Sequence, residues 1–227
     1  MRISVVIPAF NEQNAIQRVI ADIPSSLITE ILVVDNGSTD ETAKMASEMG
    51  VRVIREARQG YGWACMAGIE ALERPDIVVF LDGDYSDHPE ELEFLVHPIL
   101  QGRADLVIGS RSRGRREPGA LPIHAKFGNW LATKLIRLLF GAQYTDLGPF
   151  RAIRYPALAR LQMEDKTFGW TIEMQIKAKK LGLETVEIPV SYKRRIGVSK
   201  ISGTLKGTLQ AGCKILFSIL KYGLWKA

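Results

Sequence analysis

The sequence predicts an α/β protein whose sheet is mainly parallel and wound on both faces. The first 110 residues alternate short, β-branched apolar runs with segments of helical periodicity. No hairpin signal joins the runs, so right-handed crossovers between parallel strands are expected. Polar residues follow each apolar run directly. Because ligands bind beyond the carboxyl ends of the strands in such sheets, these residues predict a binding site there.

Five strands and four helices are predicted in this part of the chain. Each strand is a short run rich in valine, isoleucine and leucine, and the runs lie at residues 3–8, 31–34, 51–54, 77–81 and 106–109. Each helix carries apolar residues three or four positions apart, and these segments lie at residues 12–23, 42–49, 62–72 and 89–100. Pro89 suits the first turn of the fourth helix.

The composition is that of a globular protein with a sizeable core. Of the 227 residues, 46% are hydrophobic and 24% are charged. Cys65 and Cys213 lie far apart without metal-binding spacing, which fits a reducing compartment. Neither a signal peptide nor an apolar span of about 18 residues is predicted. We therefore expect a cytoplasmic protein, with peripheral attachment to the cytoplasmic face of the membrane left open.

Basic residues are concentrated at 111–116 and 193–200, within a net charge of +5. Such clusters favour the phosphates of a nucleotide, a lipid headgroup or a nucleic acid. No nucleic-acid motif accompanies them, so a nucleic-acid partner is not expected.

Asp82, Gly83 and Asp84 end the fourth predicted strand. Two carboxylates in this position suit a hard divalent cation, which prefers oxygen ligands. Gly83 leaves room for a ligand beside the backbone. Alternatively, Asp84 or Asp87 caps the helix that starts near Pro89. A cap does not use both acids, so the metal site stays a prediction alongside it.

The other strand ends also have structural alternatives. Ser38 or Asp40 is suited to cap the second helix. Asp35 caps nothing obvious and lies where it would contact the sugar or the base edge of a nucleotide. Gly60 and Gly62 form either a plain turn or a close approach for phosphate at a helix start. Since all of these positions share one sheet edge, a common binding site is the simpler interpretation.

Three segments resemble the family 2 nucleotide-sugar glycosyltransferases, which have the GT-A fold. They are residues 5–12 (VVIPAFNE), 33–40 (VVDNGSTD) and 81–84 (LDGD), supported by GYG at 60–62. The resemblance implies a metal, Mg²⁺ or Mn²⁺, held by Asp84 with Asp82 and bridging the donor phosphates. It implies that the nucleotide sugar is bound by Pro8, Ala9, Asn11, Glu12, Asp35, Asn36, Ser38, Gln59, Gly60, Asp82 and Gly83. Asn36 departs from the aspartate that the family often has, and Ser86 stands where relatives often offer a glutamine to the metal.

The second half is similar to the dolichyl-phosphate mannose and glucose synthases. The matching segments are residues 146–151 (DLGPFR), 168–174 (FGWTIEM) and 195–200 (RIGVSK). Met174 replaces an acid that serves as general base in many relatives, and a phosphate acceptor needs no base. The predicted clamp for that phosphate is Arg111, Arg151, Arg195, Ser199 and Lys200. Glu173 is predicted to orient the donor sugar or one of these cations, and the predicted catalytic set is Asp82, Asp84, Arg111, Arg151 and Glu173.

The resemblance divides the chain into a GT-A domain at 1–202 and a C-terminal amphipathic helix at 203–227. Within the domain, 1–110 is the nucleotide-sugar half and 111–202 the acceptor half, with a short antiparallel part. The expected reaction is inverting transfer of a hexose, from a donor of the GDP-mannose or UDP-glucose type, to a polyprenyl phosphate. A small soluble acceptor such as a phosphorylated glycerate is the alternative, followed by a non-enzymatic nucleotide-binding module.

Two apolar segments with interspersed cations, at 126–139 and 205–225, suggest contact with a membrane surface. Packing onto the sheet or a homodimer contact is the alternative.

Overall fold

The computed structural model describes residues 1–197 and 205–224, so the predicted site residues Ser199 and Lys200 lie outside it. Its centre is a seven-stranded sheet in the order β3-β2-β1-β4-β6-β5-β7. The strands are β1 Ile3–Ala9, β2 Glu30–Asp35, β3 Arg52–Arg55, β4 Ile77–Phe80, β5 Leu106–Ser110, β6 Arg151–Arg154 and β7 Thr185–Pro189. All five strands predicted from the sequence are present, and each end lies within one residue of the prediction.

The helices are α1 Ile16–Ala21, α2 Thr42–Glu48, α3 Tyr61–Ala71, α4 Leu92–Leu100, α5 Ile123–Phe140, α6 Tyr155–Leu161, α7 Trp170–Lys180 and α8 Leu205–Gly223. A 3₁₀ turn at Pro89–Glu91 leads into α4. The first helix starts later than predicted. Asn11 adopts a left-handed φ of 55°, and the Glu12 N–H donates to Thr42 Oγ1 at 2.8 Å, so this segment is a turn at the sheet edge.

The sheet is parallel except at β6, which is antiparallel to both β4 and β5. This confirms the predicted GT-A arrangement with a short antiparallel part. Because β6 lies between β4 and β5, the chain that precedes β6 returns to the edge where β4 and β5 end. Asp146 and Gly148 are thereby brought beside Arg111.

The two faces of the sheet carry separate apolar clusters, as the alternation of strand side chains requires. Val5 and Ile7 of β1 face a cluster that includes α1 and α4, and Val6 faces one that includes α3 and α7. A third cluster joins α5, α7 and α8. Within the described residues, no helix is both long and apolar enough to cross a bilayer.

Candidate active site

A cavity of about 330 Å³ opens at the carboxyl edge of the sheet. Its walls come from the ends of β1 and β4, the start of α3, the loop before α7, and Arg195. Ten residues predicted as site residues line it: Pro8, Ala9, Glu12, Asn36, Gln59, Gly60, Asp82, Gly83, Asp84 and Arg195. Segments that are far apart in sequence therefore meet at the edge where the strand ends place them.

Three of the predicted nucleotide-binding residues join the ends of β1 and β2 and are not part of the cavity wall. The Asn11 N–H donates to Ser38 Oγ at 3.0 Å, and the Ser38 N–H donates to Asp35 Oδ1 at 3.1 Å. Asp35 is 5% exposed. These hydrogen bonds hold the two strand ends together, and direct contact of the three residues with a nucleotide stays a prediction.

Asn36 connects the end of β2 to the loop that precedes α3. Its Nδ2 donates to the carbonyls of Glu56 and Arg58 at 3.1 and 2.8 Å, and its Oδ1 accepts the Gly60 N–H at 2.8 Å. An ionised aspartate could not make the two donated bonds, because a carboxylate only accepts. The departure from the family's usual aspartate therefore has a structural reason in this chain.

Gly60 and Gly62 permit a close contact between the start of α3 and the loop before α7. A Cβ on Gly62 would lie 1.9 Å from the Asp165 carbonyl oxygen, and one on Gly60 would lie 2.3 Å from that of Lys166. Gly60 also has a φ of 147°, which favours glycine. The two glycines thus bring Thr167 and Phe168 against the cavity, a role that the sequence did not indicate.

Asp82 and Asp84 lie together at the end of β4, as predicted. Burial and the neighbouring Asp84 raise the pKa of Asp82 to about 7, although Arg195 and Arg111 oppose the shift. Asp84 is 6% exposed, and its Oδ1 accepts the Ser86 N–H at 2.9 Å. Two carboxylates this close favour a bound cation, because each destabilises the charge of the other.

Arg195 supplies a positive charge beside Asp84. Its guanidinium lies 3.1 Å from Asp84 Oδ2 and 2.9 Å from Glu12 Oε1. The Ile196 N–H also donates to the Asp84 carbonyl at 2.9 Å. The sequence predicted that Arg195 holds the acceptor phosphate. The structure instead places it against the metal-binding acids predicted for the donor side.

The carboxylate oxygens of Asp82 and Asp84 fit a hard divalent cation, and the guanidinium on Asp84 shows that the position attracts positive charge. Within residues 1–197 and 205–224, no cluster of three or more His, Cys, Asp and Glu side chains forms a metal cage. The hydroxyl of Ser86 donates to Asp84 Oδ1. A metal here would therefore depend on two carboxylates, with water and donor phosphate oxygens completing its coordination.

Arg111 is held by Asp146. Its Nη2 and Nε donate to the two carboxylate oxygens at 2.7 and 2.9 Å, and its backbone N–H donates to the same carboxylate at 2.7 Å. Burial alone would raise the pKa of Asp146, but the charge and hydrogen bonds of Arg111 outweigh it and lower that pKa. Arg111 lies outside the cavity wall but close enough to influence Asp82. Its contact with an acceptor phosphate stays a prediction.

Arg151 does not fit the predicted role in a phosphate clamp. Its side chain has no exposed surface, and its guanidinium donates to the carbonyls of Thr171 and Gly148. Burial lowers its pKa to about 10. Arg151 therefore supports the backbone around β6 from inside the protein, where no acceptor can reach it.

Glu173 is likewise a structural residue in this fold, contrary to its predicted catalytic role. It is fully buried and lies 2.8 Å from Lys177 Nζ. Its two oxygens accept the Glu164 and Asp165 N–H groups at 2.8 and 2.7 Å. Glu173 thereby shapes the loop that packs on Gly60 and Gly62. Met174 is also fully buried.

Asp87 is a buried acid that the sequence suggested only as a helix cap. It is 1% exposed, and neither carboxylate oxygen has a hydrogen-bond partner among the described residues. Burial raises the pKa of Asp87 well above its ordinary value, and the charges of Asp82 and Asp84 raise it further. The cavity residues Phe10, Thr167 and Phe168 were not among the predicted site residues, although Phe10 and Phe168 lie in segments that resemble the family.

Comparison with known proteins agrees with this geometry. The family model of glycosyl transferase family 2 matches residues 4–161. An uncharacterized glycosyltransferase of Mycobacterium tuberculosis is 38% identical over 213 residues, covering 92% of this chain and 94% of that protein. An undecaprenyl-phosphate mannosyltransferase of Micrococcus luteus is 32% identical over 225 residues, covering 91% and 90%. Among solved structures, glucosyl-3-phosphoglycerate synthase from Mycobacterium tuberculosis, in complex with Mn²⁺, UDP and phosphoglyceric acid, aligns with a TM-score of 0.79 and 26% identity. That alignment covers 100% of this chain and 80% of the synthase.

Proposed function

The chain belongs to glycosyl transferase family 2, and we propose that it transfers a hexose from a nucleoside diphosphate sugar to a polyprenyl phosphate. The donor lies in the cavity at the sheet edge, with its diphosphate next to Asp82 and Asp84. A divalent metal, Mg²⁺ or Mn²⁺, is held by these two acids and stabilises the leaving diphosphate. The complex of the related synthase with Mn²⁺ and UDP supports a metal-bound donor.

The observation that carries the acceptor proposal is that, among the residues the structure describes, neither Glu173 nor Met174 of α7 offers an available base. Met174 cannot accept a proton, and Glu173 is buried against Lys177 and two backbone N–H groups. A sugar hydroxyl would need a base at this point, whereas a phosphate oxygen is already anionic near neutral pH. An attacking phosphate forms the new bond at the anomeric carbon as the bond to the diphosphate breaks, with inversion.

A phosphorylated soluble acceptor is the second candidate, because it satisfies the same chemistry. The structural neighbour that binds phosphoglyceric acid favours it, while the mannosyltransferase of Micrococcus luteus favours the lipid. We prefer the lipid because that relative is similar over nine-tenths of both chains.

The test is transfer from radiolabelled GDP-mannose and UDP-glucose, with Mn²⁺ or Mg²⁺, to undecaprenyl phosphate or 3-phosphoglycerate in parallel. We expect label in the organic extract only when the lipid phosphate is present, and none with Asp84→Asn. Label confined to a water-soluble phosphoglycerate product would replace the lipid proposal with the second candidate. Failure of every donor and acceptor pair would refute both.

A further inference from the structure

A second cavity, of about 610 Å³, shares no lining residue with the donor cavity. It is bordered by the loop after β5, one flank of α5, the turn before Asp146, and Glu187 of β7. Five cationic side chains line it: Arg113, Arg116, Lys126, Lys134 and Arg137. All five residues are exposed. No part of the proposed transfer reaction uses this cavity.

Among the described residues that line this cavity, Glu187 is the only acid. Its carboxylate accepts the Thr145 N–H and hydroxyl, each at 2.8 Å, and the Asp146 N–H at 3.2 Å. Its charge is thus directed at the turn before β6. Five cations against one acid leave an excess of four positive charges around one cavity. Such an arrangement attracts anions.

The same flank of α5 continues into an exposed apolar stripe. Trp130 lines the basic cavity, and its ring lies 5.8 Å from that of Phe127. The exposed fractions of the large apolar side chains on this helix are 84% for Ile123, 60% for Phe127, 53% for Trp130, 79% for Leu138 and 53% for Leu139. On α8, which packs against α5, Phe217 and Leu220 are also exposed. Apolar and cationic side chains therefore share one surface.

We propose that this basic cavity binds the headgroup phosphates of anionic bilayer lipids while the apolar stripe of α5 enters the interface between headgroups and acyl chains. A soluble anion would neutralise the cavity but leave the apolar side chains in water. An anionic membrane surface covers both, which is how amphipathic interfacial helices bind. The site orients the enzyme on the membrane and does not depend on which acceptor is glycosylated.

Vesicle flotation of the full chain, without donor or acceptor, tests the charge component. We expect binding to phosphatidylcholine vesicles that contain about 30 mol% phosphatidylglycerol, and little binding to phosphatidylcholine alone. Lys134→Gln with Arg137→Gln should weaken the partition coefficient by about 30-fold, since each cation near a charged surface contributes about fivefold. The matched control is Arg103→Gln with Arg160→Gln, which removes two exposed cations elsewhere and should change binding less than about twofold.

The apolar component is tested by Phe127→Ser against Phe94→Ser. Phe94 lies on α4 and is 54% exposed, close to the 60% of Phe127, so the two substitutions remove similar areas of exposed apolar surface. Only the α5 variant should lose vesicle binding, with thermal unfolding confirming that both variants are folded. Trp130 fluorescence should be quenched by brominated lipids, and Trp130→Phe should remove that part of the quenching.

Three results would overturn the proposal. The first is equal binding by the wild type and both charge variants. The second is loss of binding in the control variants. The third is that inorganic phosphate binds in the basic cavity while the protein binds neither kind of vesicle. That result would identify a site for a soluble anion. A nucleotide-induced thermal shift, recorded on each variant, reports separately on the donor site, so failure here is distinguishable from failure of the proposed transfer.

Discussion

Replacing Glu173 with alanine should destabilise the fold before it affects chemistry. In the native structure, Lys177 Nζ lies 2.8 Å from the Glu173 carboxylate, and both side chains are fully buried. The variant removes this carboxylate and leaves the Lys177 ammonium in place. It also removes the acceptor of the Glu164 and Asp165 N–H groups. Breaking a buried pair from one side costs about 3–5 kcal/mol. For a chain of this size, we expect the melting temperature to fall by about 6–20 °C.

The measurement is urea unfolding, with hexosyl transfer assayed at a temperature where the variant is folded. The turnover number should stay within about threefold of wild type, because the carboxylate does not reach the cavity. The donor KM should rise, because the loop at 164–167 is no longer held against Gly60 and Gly62.

A double-mutant cycle measures the contribution of the Glu173–Lys177 ion pair to stability separately from that of the other contacts of Glu173. Glu173→Ala with Lys177→Met should be less destabilised than the sum of the single changes, with a coupling energy of about 1–3 kcal/mol. Lys179→Met, an exposed lysine on the same helix, should change stability by less than about 0.5 kcal/mol. A stability loss below about 1 kcal/mol, combined with a hundredfold fall in turnover, would refute the structural role and return Glu173 to the catalytic set.

Three further outcomes are expected. Gly62→Ala should cost about 1–3 kcal/mol of stability by overpacking against the Asp165 carbonyl, and it should weaken the nucleotide-induced thermal shift. Gly128→Ala, with nothing within 4 Å of the added carbon, should be neutral or stabilising. Equal effects of the two substitutions would contradict the close packing at Gly62. Arg151→Met should lower the melting temperature without raising the KM for the acceptor, and a raised KM would restore Arg151 to the phosphate clamp. Because the pKa of Asp82 is about 7, its carboxyl gains a proton as the pH falls through 7, so Mn²⁺ affinity in the presence of nucleotide should drop between pH 8 and 6. Asp82→Asn should flatten that dependence, and a wild-type affinity that does not change with pH would contradict the assignment.

Local patterns predicted the parallel part of the fold and the acids at its edge. The runs that became β1 and β4 are apolar on both faces, and Asp82 and Asp84 follow β4 at once. Parallel strands end at one edge, so convergence of the polar residues followed from topology alone. The same reasoning could not place β6, because a four-residue strand with arginine at both ends gives no clear alternation.

Long-range pairing decided the roles that the sequence misjudged. Arg195 and Glu12 are 183 positions apart, and no spacing rule connects them. Arginine is usually exposed, so a sequence gives little warning that Arg151 is buried beneath backbone carbonyls. Asn36 is the converse case, because its departure from the family pattern became intelligible once its three hydrogen bonds were known.

The position of β6 has a consequence for how the protein can be divided and made. Both neighbours of β5, namely β6 and β7, come from residues after 110. A fragment ending there would leave β5 without a partner and would expose one edge of β4, whose four residues are all buried and apolar in the complete chain. Such an edge invites pairing with other chains. A nascent polypeptide therefore cannot complete this sheet until Pro189 has left the ribosome, and until β6 has formed the edge of β4 is open to pairing with other chains.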